Sequence, residues 1–318
     1  MVWHIDIDEA GYGPNLGPLV MTSVACRTPE GVTQGDLWKL LKSAVRRPHH
    51  KDDGRILVED SKVLFGQASG IGALEKSVFA FLSPSLSPSP SLTLLVESLS
   101  PGSSALRDEH WYTGRTVLPL KATSNDIQVS AQRFAKSCQE ASITWGLTRS
   151  VIVCAPQFNG FLEQWHSKGA ILAAGLVQLL RENLRVLEAN SVPVHFLVDK
   201  HGGRNQYAAM LQTAFDENMV IAREESAYRS CYNVMDSDIE VAFEPRADGR
   251  HFCVALASMI SKYLREVLMS EFNQFWRLHV PDLQPTAGYP GDAARFYDAI
   301  QPAAKKLGIS RECLWRQR

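Results

Sequence analysis

Two adjacent carboxylates, Asp8 and Glu9, end an alternating apolar run that begins at Trp3, and a turn of small residues follows at once, Ala10-Gly11-Tyr12-Gly13-Pro14. Asp and Glu are depleted in strands, and burying them is costly unless something compensates. A divalent cation is the obvious compensator. Another acid, Asp199, ends the nearly continuous apolar run VPVHFLV over 192–198. Ligand sites in open α/β sheets lie beyond the carboxyl ends of strands, which is where Asp199 would stand. Asp236, Asp238 and Glu240 follow later and compete with Asp199 for a ligand role, although turns of this kind are usually solvated. His49 and His50 form a polar loop with Lys51, Asp52 and Asp53, and such an exposed pair reads as solvated rather than metal-binding.

The elements that must carry these groups follow from periodicity. The apolar run over 16–26, joined to the first by the Gly/Pro turn, predicts a second strand adjacent to the first. Helical spacing covers 33–45 through Leu37, Leu40, Leu41 and Val45. SPSLSPSPS over 83–91 is a Pro/Ser-rich connector, and 93–120 resists assignment, with Trp111 and Tyr112 read as packing residues. A helix capped at Ser124 runs to about 141, with Ile127, Ala131, Phe134, Ala135 and Cys138 on its apolar face. A strand over 150–154, one long helix over 157–189 and the strand ending at Asp199 predict a crossover with parallel pairing. Gly202-Gly203-Arg204-Asn205 reads as a helix start over 206–215 with room for a phosphate, or as an ordinary loop. Short strands are predicted over 219–223, 230–235 and 238–243, and a last helix over 292–307.

The chain of 318 residues has length for one large domain or two modest ones. Hydrophobic residues at 45% and charged residues at 21% fit a globular protein rather than a disordered one. A net charge of −1 argues against a protein that coats polyanions, so any nucleic-acid site must be a local patch. The six cysteines include no Cys-x-x-Cys pair, which disfavours zinc and reads as buried free thiols. Neither a basic-then-apolar leader nor a long apolar segment is present, so a cytoplasmic protein without a membrane span is expected.

The segment Asp8-Glu9-Ala10-Gly11-Tyr12-Gly13-Pro14 resembles the start of the ribonuclease HII family, whose first strand ends in Asp-Glu-Ala-Gly-Arg-Gly-Pro, with Tyr12 in place of the arginine. Asp60-Ser61-Lys62-Val63-Leu64 is similar to that family's Asp-Ser-Lys-Lys-Leu. A lysine beside a small hydroxyl residue suits a phosphate oxygen, whereas the bland reading is a helix capped by Asp60 or Ser61. The block over 247–266 resembles the family's aspartate followed by a small-residue helix, in register without a gap from Asp248 through Ser258 and Lys262 to Arg265. Of the family's Lys-Gly-Tyr-Gly only Gly288-Tyr289 is retained, and Lys200-His201 follow Asp199 where the family usually has a glycine.

The resemblance implies an α/β ribonuclease H-like fold. Its central mixed sheet would be flanked by helices and would carry Asp8–Glu9 and Asp199 on neighbouring strands. Residues 1–250 would form the catalytic domain, with the Pro/Ser-rich insertion near 83–92, and 251–318 a helical part of the same domain closing over substrate. It places four acids together, Asp8, Glu9, Asp199 and Asp248, as catalytic residues and ligands of Mg²⁺ or Mn²⁺, hard ions that keep waters and bind phosphates. Two such ions would hold a scissile phosphate between them. The implied substrate is the RNA strand of an RNA–DNA hybrid, or a ribonucleotide embedded in duplex DNA. The roles of reading the 2′-hydroxyl and stacking on the next deoxyribose fall on Gly11, Tyr12, Gly13 and Tyr289, and Lys62 and Ser258 would hold flanking phosphates. Replacing the arginine by Tyr12 removes a rigid donor fork but leaves the backbone donors. The expected partner is nucleic acid, and the expected state a monomer. Alternatives are a structure-specific DNA nuclease of the same fold and a non-catalytic nucleic-acid-binding relative. Clustered acids facing phosphates disfavour the latter.

Overall fold

The alternation at the amino end builds the centre of the molecule. In the computed structural model, which describes all residues except 49–52, 66–69, 85, 87–88, 108, 188–191 and 318, β1 (Val2–Ala10) sends Ile5 and Ile7 to one buried face and His4, Asp6 and Asp8 to the other. Antiparallel β2 (Leu19–Thr28) is buried on both faces and pairs with β1 from Val2↔Thr28 to Ala10↔Val20. Two short strands, β3 (Val45–Arg46) and β4 (Ile56–Leu57), pair in parallel as a separate ribbon. The main sheet continues with β5 (Thr144–Val153), β6 (Val194–Asp199), β7 (Val220–Glu225), β8 (Ser230–Val234) and β9 (Ile239–Glu244). Its order is β5-β2-β1-β6-β9-β8-β7. β5 is antiparallel to β2, while β6 runs parallel to both β1 and β9. The expected mixed central sheet is thus present, with β1 and β6 side by side and their carboxyl ends at one edge.

Helices cover both faces. On one side lie α6 (Ala155–Trp165), α7 (Lys168–Leu187) and α8 (Ala208–Ala214), with Leu172, Leu176 and Leu180 packed on Ile5, Ile7 and Phe196. The other side carries the 28-residue α9 (Phe252–His279). Ala255, Ala257, Ser258 and Ser261 keep its near face small, so it lies close enough for the Ser261 hydroxyl to donate to the Asp8 carbonyl at 3.1 Å and bond the Thr22 hydroxyl at 2.8 Å. Outside α9 stand α1 (Leu37–Leu40), α2 (Ser61–Phe65), α3 (Gly70–Leu82), α4 (Leu92–Leu99) and α5 (Ser124–Glu140). The far half of α9 joins α10 (Pro290–Leu307) and α11 (Arg311–Leu314) around Trp111, Phe272, Trp276 and Phe296, so Trp111 packs rather than facing a ligand. Among the described residues no helix is long and apolar enough to cross a membrane.

Several local expectations are corrected. The helix expected over 33–45 shortens to a 3-10 turn, Gln34–Asp36, running into the single turn of α1, because the chain leaves it to pair β3 with β4, although Leu37, Leu41 and Val45 are buried as their spacing implies. The single helix expected over 157–189 is two, broken at His166, whose left-handed φ of 50° ends α6. The cap of α5 is Thr123, not Ser124; its hydroxyl accepts the Asp126 amide at 3.1 Å. β5 and β6 run in the same sense but are not neighbours, since the crossover through α6 and α7 passes β2 and β1. Gly202-Gly203 does not begin a helix, for α8 starts at Ala208. The loop containing His49 and His50 lies outside the described residues.

Candidate active site

Period-2 alternation puts Asp8 on the α9 face at the end of β1, and Glu9 next to it. The Glu9 amide donates to Asp8 Oδ1 at 2.7 Å. Asp199 ends β6, directly alongside β1, and its Oδ1 accepts the Ala247 amide at 2.7 Å. That bond ties Asp199 to the 3-10 turn Ala247–Gly249, which carries Asp248 just before α9. Three separate segments therefore deliver four acids to one edge of the sheet.

Burial and neighbouring carboxylates raise the proton affinity of these acids. Burial, then Glu9, Asp199 and Asp248, push the Asp8 carboxyl well above the usual range, against the Ser258 hydroxyl that donates to it. Glu9 is pushed up to about 7 by burial and Asp199, with Lys62 opposing. Asp248 rises to about 6 through burial, Asp60 and Asp199. Asp199 is raised by burial despite the Ala247 amide and Lys62. Burial works against the charge of Lys62, but Asp60, Asp248, Asp8 and Asp199 outweigh it and raise its pKa. Asp8, Glu9 and Asp248 each have their proton affinity raised by other carboxylates, Asp199 among them, which amounts to negative charge with little compensation. Such an oxygen-only donor set has the chemistry of a hard divalent cation site. As the side chains stand, no three His, Cys, Asp or Glu groups among the described residues gather at coordination distance.

The competing acids are elsewhere. Asp236 occupies the turn between β8 and β9, the Asp238 carbonyl accepts the Val194 amide at the opposite end of β6 from Asp199, and Glu240 pairs with Arg229 at 3.0 Å. Lys62 sits at the start of α2, where Asp60 Oδ1 accepts its amide at 2.8 Å, so the capping reading and proximity to the acids hold together. Asp60 itself reaches the electrostatic field of Asp199 and Asp248, a fifth acid whose only sequence signal was its place before Ser61-Lys62. Ser258 is buried between Asp8 and Ser61, whose hydroxyl lies at 2.9 Å, which leaves it facing a carboxylate rather than solvent.

The small-residue turn lies beside these acids. Gly11 has φ +91°, and a Cβ there would meet Arg265 Nε at 2.6 Å, so both backbone and space demand glycine. Tyr12 is half-buried near Glu9 and Arg204, and burial raises its pKa. The exposed Tyr289 ring approaches Gly13, and the Gly288 carbonyl accepts the Asn15 and Leu16 amides. Gly11, Tyr12, Gly13 and Tyr289 are thus brought together.

No family profile and no curated protein matches this chain. Among solved structures it is similar to chains from the PCNA:RNase HII complex of Archaeoglobus fulgidus and from ribonuclease H2 of Pyrococcus horikoshii OT3. The first is 15% identical, covering 100% of this chain and 94% of that one at a TM-score of 0.47. The second is 16% identical, covering 98% and 92% at 0.45. A third, Bst-RNase HIII in complex with Mn²⁺, is 16% identical and covers 99% and 66%, also at 0.45.

Proposed function

We propose that the protein is a divalent-metal-dependent endoribonuclease of the ribonuclease HII type, acting on RNA–DNA hybrids or on ribonucleotides embedded in duplex DNA. The observation that carries this reading is the set of four acids, each with its proton affinity raised: Asp8 and Glu9 at the carboxyl end of β1, Asp199 at that of β6, and Asp248 on the turn tied to Asp199 through the Ala247 amide. The motif resemblance around Asp8–Glu9 and around Asp248 supports it, and Asp199 is supported by its place at the end of β6 beside β1. Asp8, Glu9, Asp199 and Asp248 would hold Mg²⁺ or Mn²⁺, which when bound supplies Lewis acidity for activating a water and stabilising the leaving 3′ oxygen, in the two-ion manner where both are held. Lys62 would steady a non-bridging phosphate oxygen as a point charge. Ser258 would orient Asp8. The backbone of Gly11, Tyr12 and Gly13 would read the ribose 2′-hydroxyl, and Tyr289 would offer a stacking face.

The test is cleavage of three labelled duplexes in Mg²⁺ and in Mn²⁺: a uniform RNA–DNA hybrid, duplex DNA with one ribonucleotide, and all-DNA. Asp8→Asn serves as the control for contaminating nuclease. Cleavage of the ribonucleotide-containing duplexes, lost in Asp8→Asn, is expected. Cleavage of all-DNA alone would replace this reading with a DNA nuclease, and binding without turnover in either ion would make the protein a non-catalytic binder.

A further inference from the structure

The peptide between Gly11 and Tyr12 is held from beneath by a residue three hundred positions away. Arg316 is 1% exposed, and its Nη2 donates to the Gly11 carbonyl at 2.6 Å and to the Pro14 carbonyl. Two carbonyls of one turn therefore point at one guanidinium. Across a trans peptide the C=O and N–H point in opposite directions. With the Gly11 carbonyl turned to Arg316, the Tyr12 amide is turned away from it.

Arg316 is itself firmly anchored. Its amide donates to the Asn15 carbonyl at 2.8 Å, and Asn15 Nδ2 returns a bond to the Arg316 carbonyl at 3.1 Å. Asn159 of α6 donates to the carbonyls of Glu312 and Trp315 and accepts the Gln317 amide. From the turn the network runs on to the Gly288 carbonyl, beside Tyr289. Arg265 packs on the same turn and donates to the Ala287 carbonyl at 2.7 Å. Burial and Arg265 pull the Arg316 pKa down to about 9. Two neighbouring guanidiniums with carbonyl partners are a costly thing to bury. That cost makes sense where the orientation of the turn matters.

We propose that Arg316 is a positioning residue for substrate selection, fixing the Gly11–Tyr12 peptide so that the Tyr12 amide donates to the ribose 2′-hydroxyl. The proposal rests on the ribonuclease reading above.

The experiment measures Kd in Ca²⁺, as a non-turnover ion, for duplex DNA with one ribonucleotide and for the matching all-DNA duplex. The proteins are the full chain and its Arg316→Met, Arg316→Lys and Asn159→Ala variants, each checked for folding by circular dichroism. The wild type is expected to prefer the ribonucleotide duplex. Arg316→Met is expected to lose about tenfold of that preference, the worth of one hydrogen bond, with all-DNA binding unchanged. Arg316→Lys should recover part of it, because an ammonium can still donate to both carbonyls. A folded Arg316→Met with undiminished preference overturns the proposal, as does equal weakening on both duplexes, which is what a purely structural role predicts. Should Arg316→Met not fold, undiminished preference in both Arg316→Lys and Asn159→Ala overturns it. No preference in the wild type sinks the ribonuclease reading and this proposal with it, whereas a preference that every variant keeps sinks this proposal alone.

Discussion

Glu75 and Glu271 are buried as deeply as Asp8, yet the two kinds of acid live in opposite surroundings. Glu75 of α3 accepts the amides of Leu120, Lys121 and Ala122 and the Tyr263 hydroxyl. Glu271 of α9 accepts the amides of Thr113 and Gly114 and the hydroxyls of Thr113 and Thr116. Each carboxylate pins a stretch of the irregular chain over 113–122 to a helix, and its charge is met by donors. At the sheet edge the acids take single amides or a hydroxyl as donors, yet burial and the neighbouring carboxylates still raise the proton affinity of Asp8, Glu9 and Asp248, with Lys62 as the opposing cation. A buried carboxylate with donors around it is structural, whereas several with mutual repulsion are arranged for something that arrives from outside.

The contrast can be broken hardest at Asp8. Asp8→Asn should cut cleavage by roughly a thousandfold or more, about 4 kcal/mol of transition-state stabilisation, in a single-turnover assay at saturating Mg²⁺. If activity survives, Asp8 does not belong to the working set. Glu75→Leu is the mirror experiment. It strands three amides and a hydroxyl, so denaturant unfolding should show a loss of about 3 kcal/mol. A loss under about 1 kcal/mol would mean that the loop re-forms its bonds without Glu75.

The same Asp8→Asn should stabilise the protein in EDTA by about 1 kcal/mol, because it removes a charge the fold resists. The gain should grow between pH 5 and pH 8. Glu9 titrates at about 7 in the folded chain and Asp248 at about 6, above ordinary values of 4.5 and 3.8. The folded state therefore holds more protons than the unfolded state across that window, and stability from these acids is lost as pH rises through it. Removing Asp8 relieves most when its neighbours are ionised. A gain that is flat with pH, or largest at pH 5, would contradict the coupling of these groups.

Much of the site was legible because its causes are local. Alternation ending in Asp8 and Glu9, and the apolar run ending in Asp199, required only period-2 counting. Asp248 came only through the family resemblance of the block over 247–266, whose small residues the contacts of Ser261 with β1 and β2 explain. What stayed hidden is long-range. Nothing near Glu75 or Arg316 announces that one will bind residues 120–122 or that the other will reach Gly11. Helix lengths failed for the opposite reason. Apolar spacing through His166 is compatible with a continuous helix, and only the left-handed residue there, set by how α6 and α7 pack on the sheet, ends it.

Lys62 offers the mildest and sharpest probe, since it lowers the proton affinity of Glu9, Asp199 and Asp248 without being one of the acids. In Lys62→Met the carboxyls should titrate higher, which shifts the acid limb of the activity profile to higher pH. If Lys62 also meets a phosphate, duplex affinity should fall equally for ribonucleotide and all-DNA strands, and the slope of log affinity against log salt should lose about one unit. The two effects separate the roles. A shifted pH limb with an unchanged salt slope makes Lys62 a partner of the acids alone, whereas a reduced slope at a fixed limb makes it a phosphate contact. Only a change in both sustains the view that one ammonium compensates the acid edge and also receives the strand.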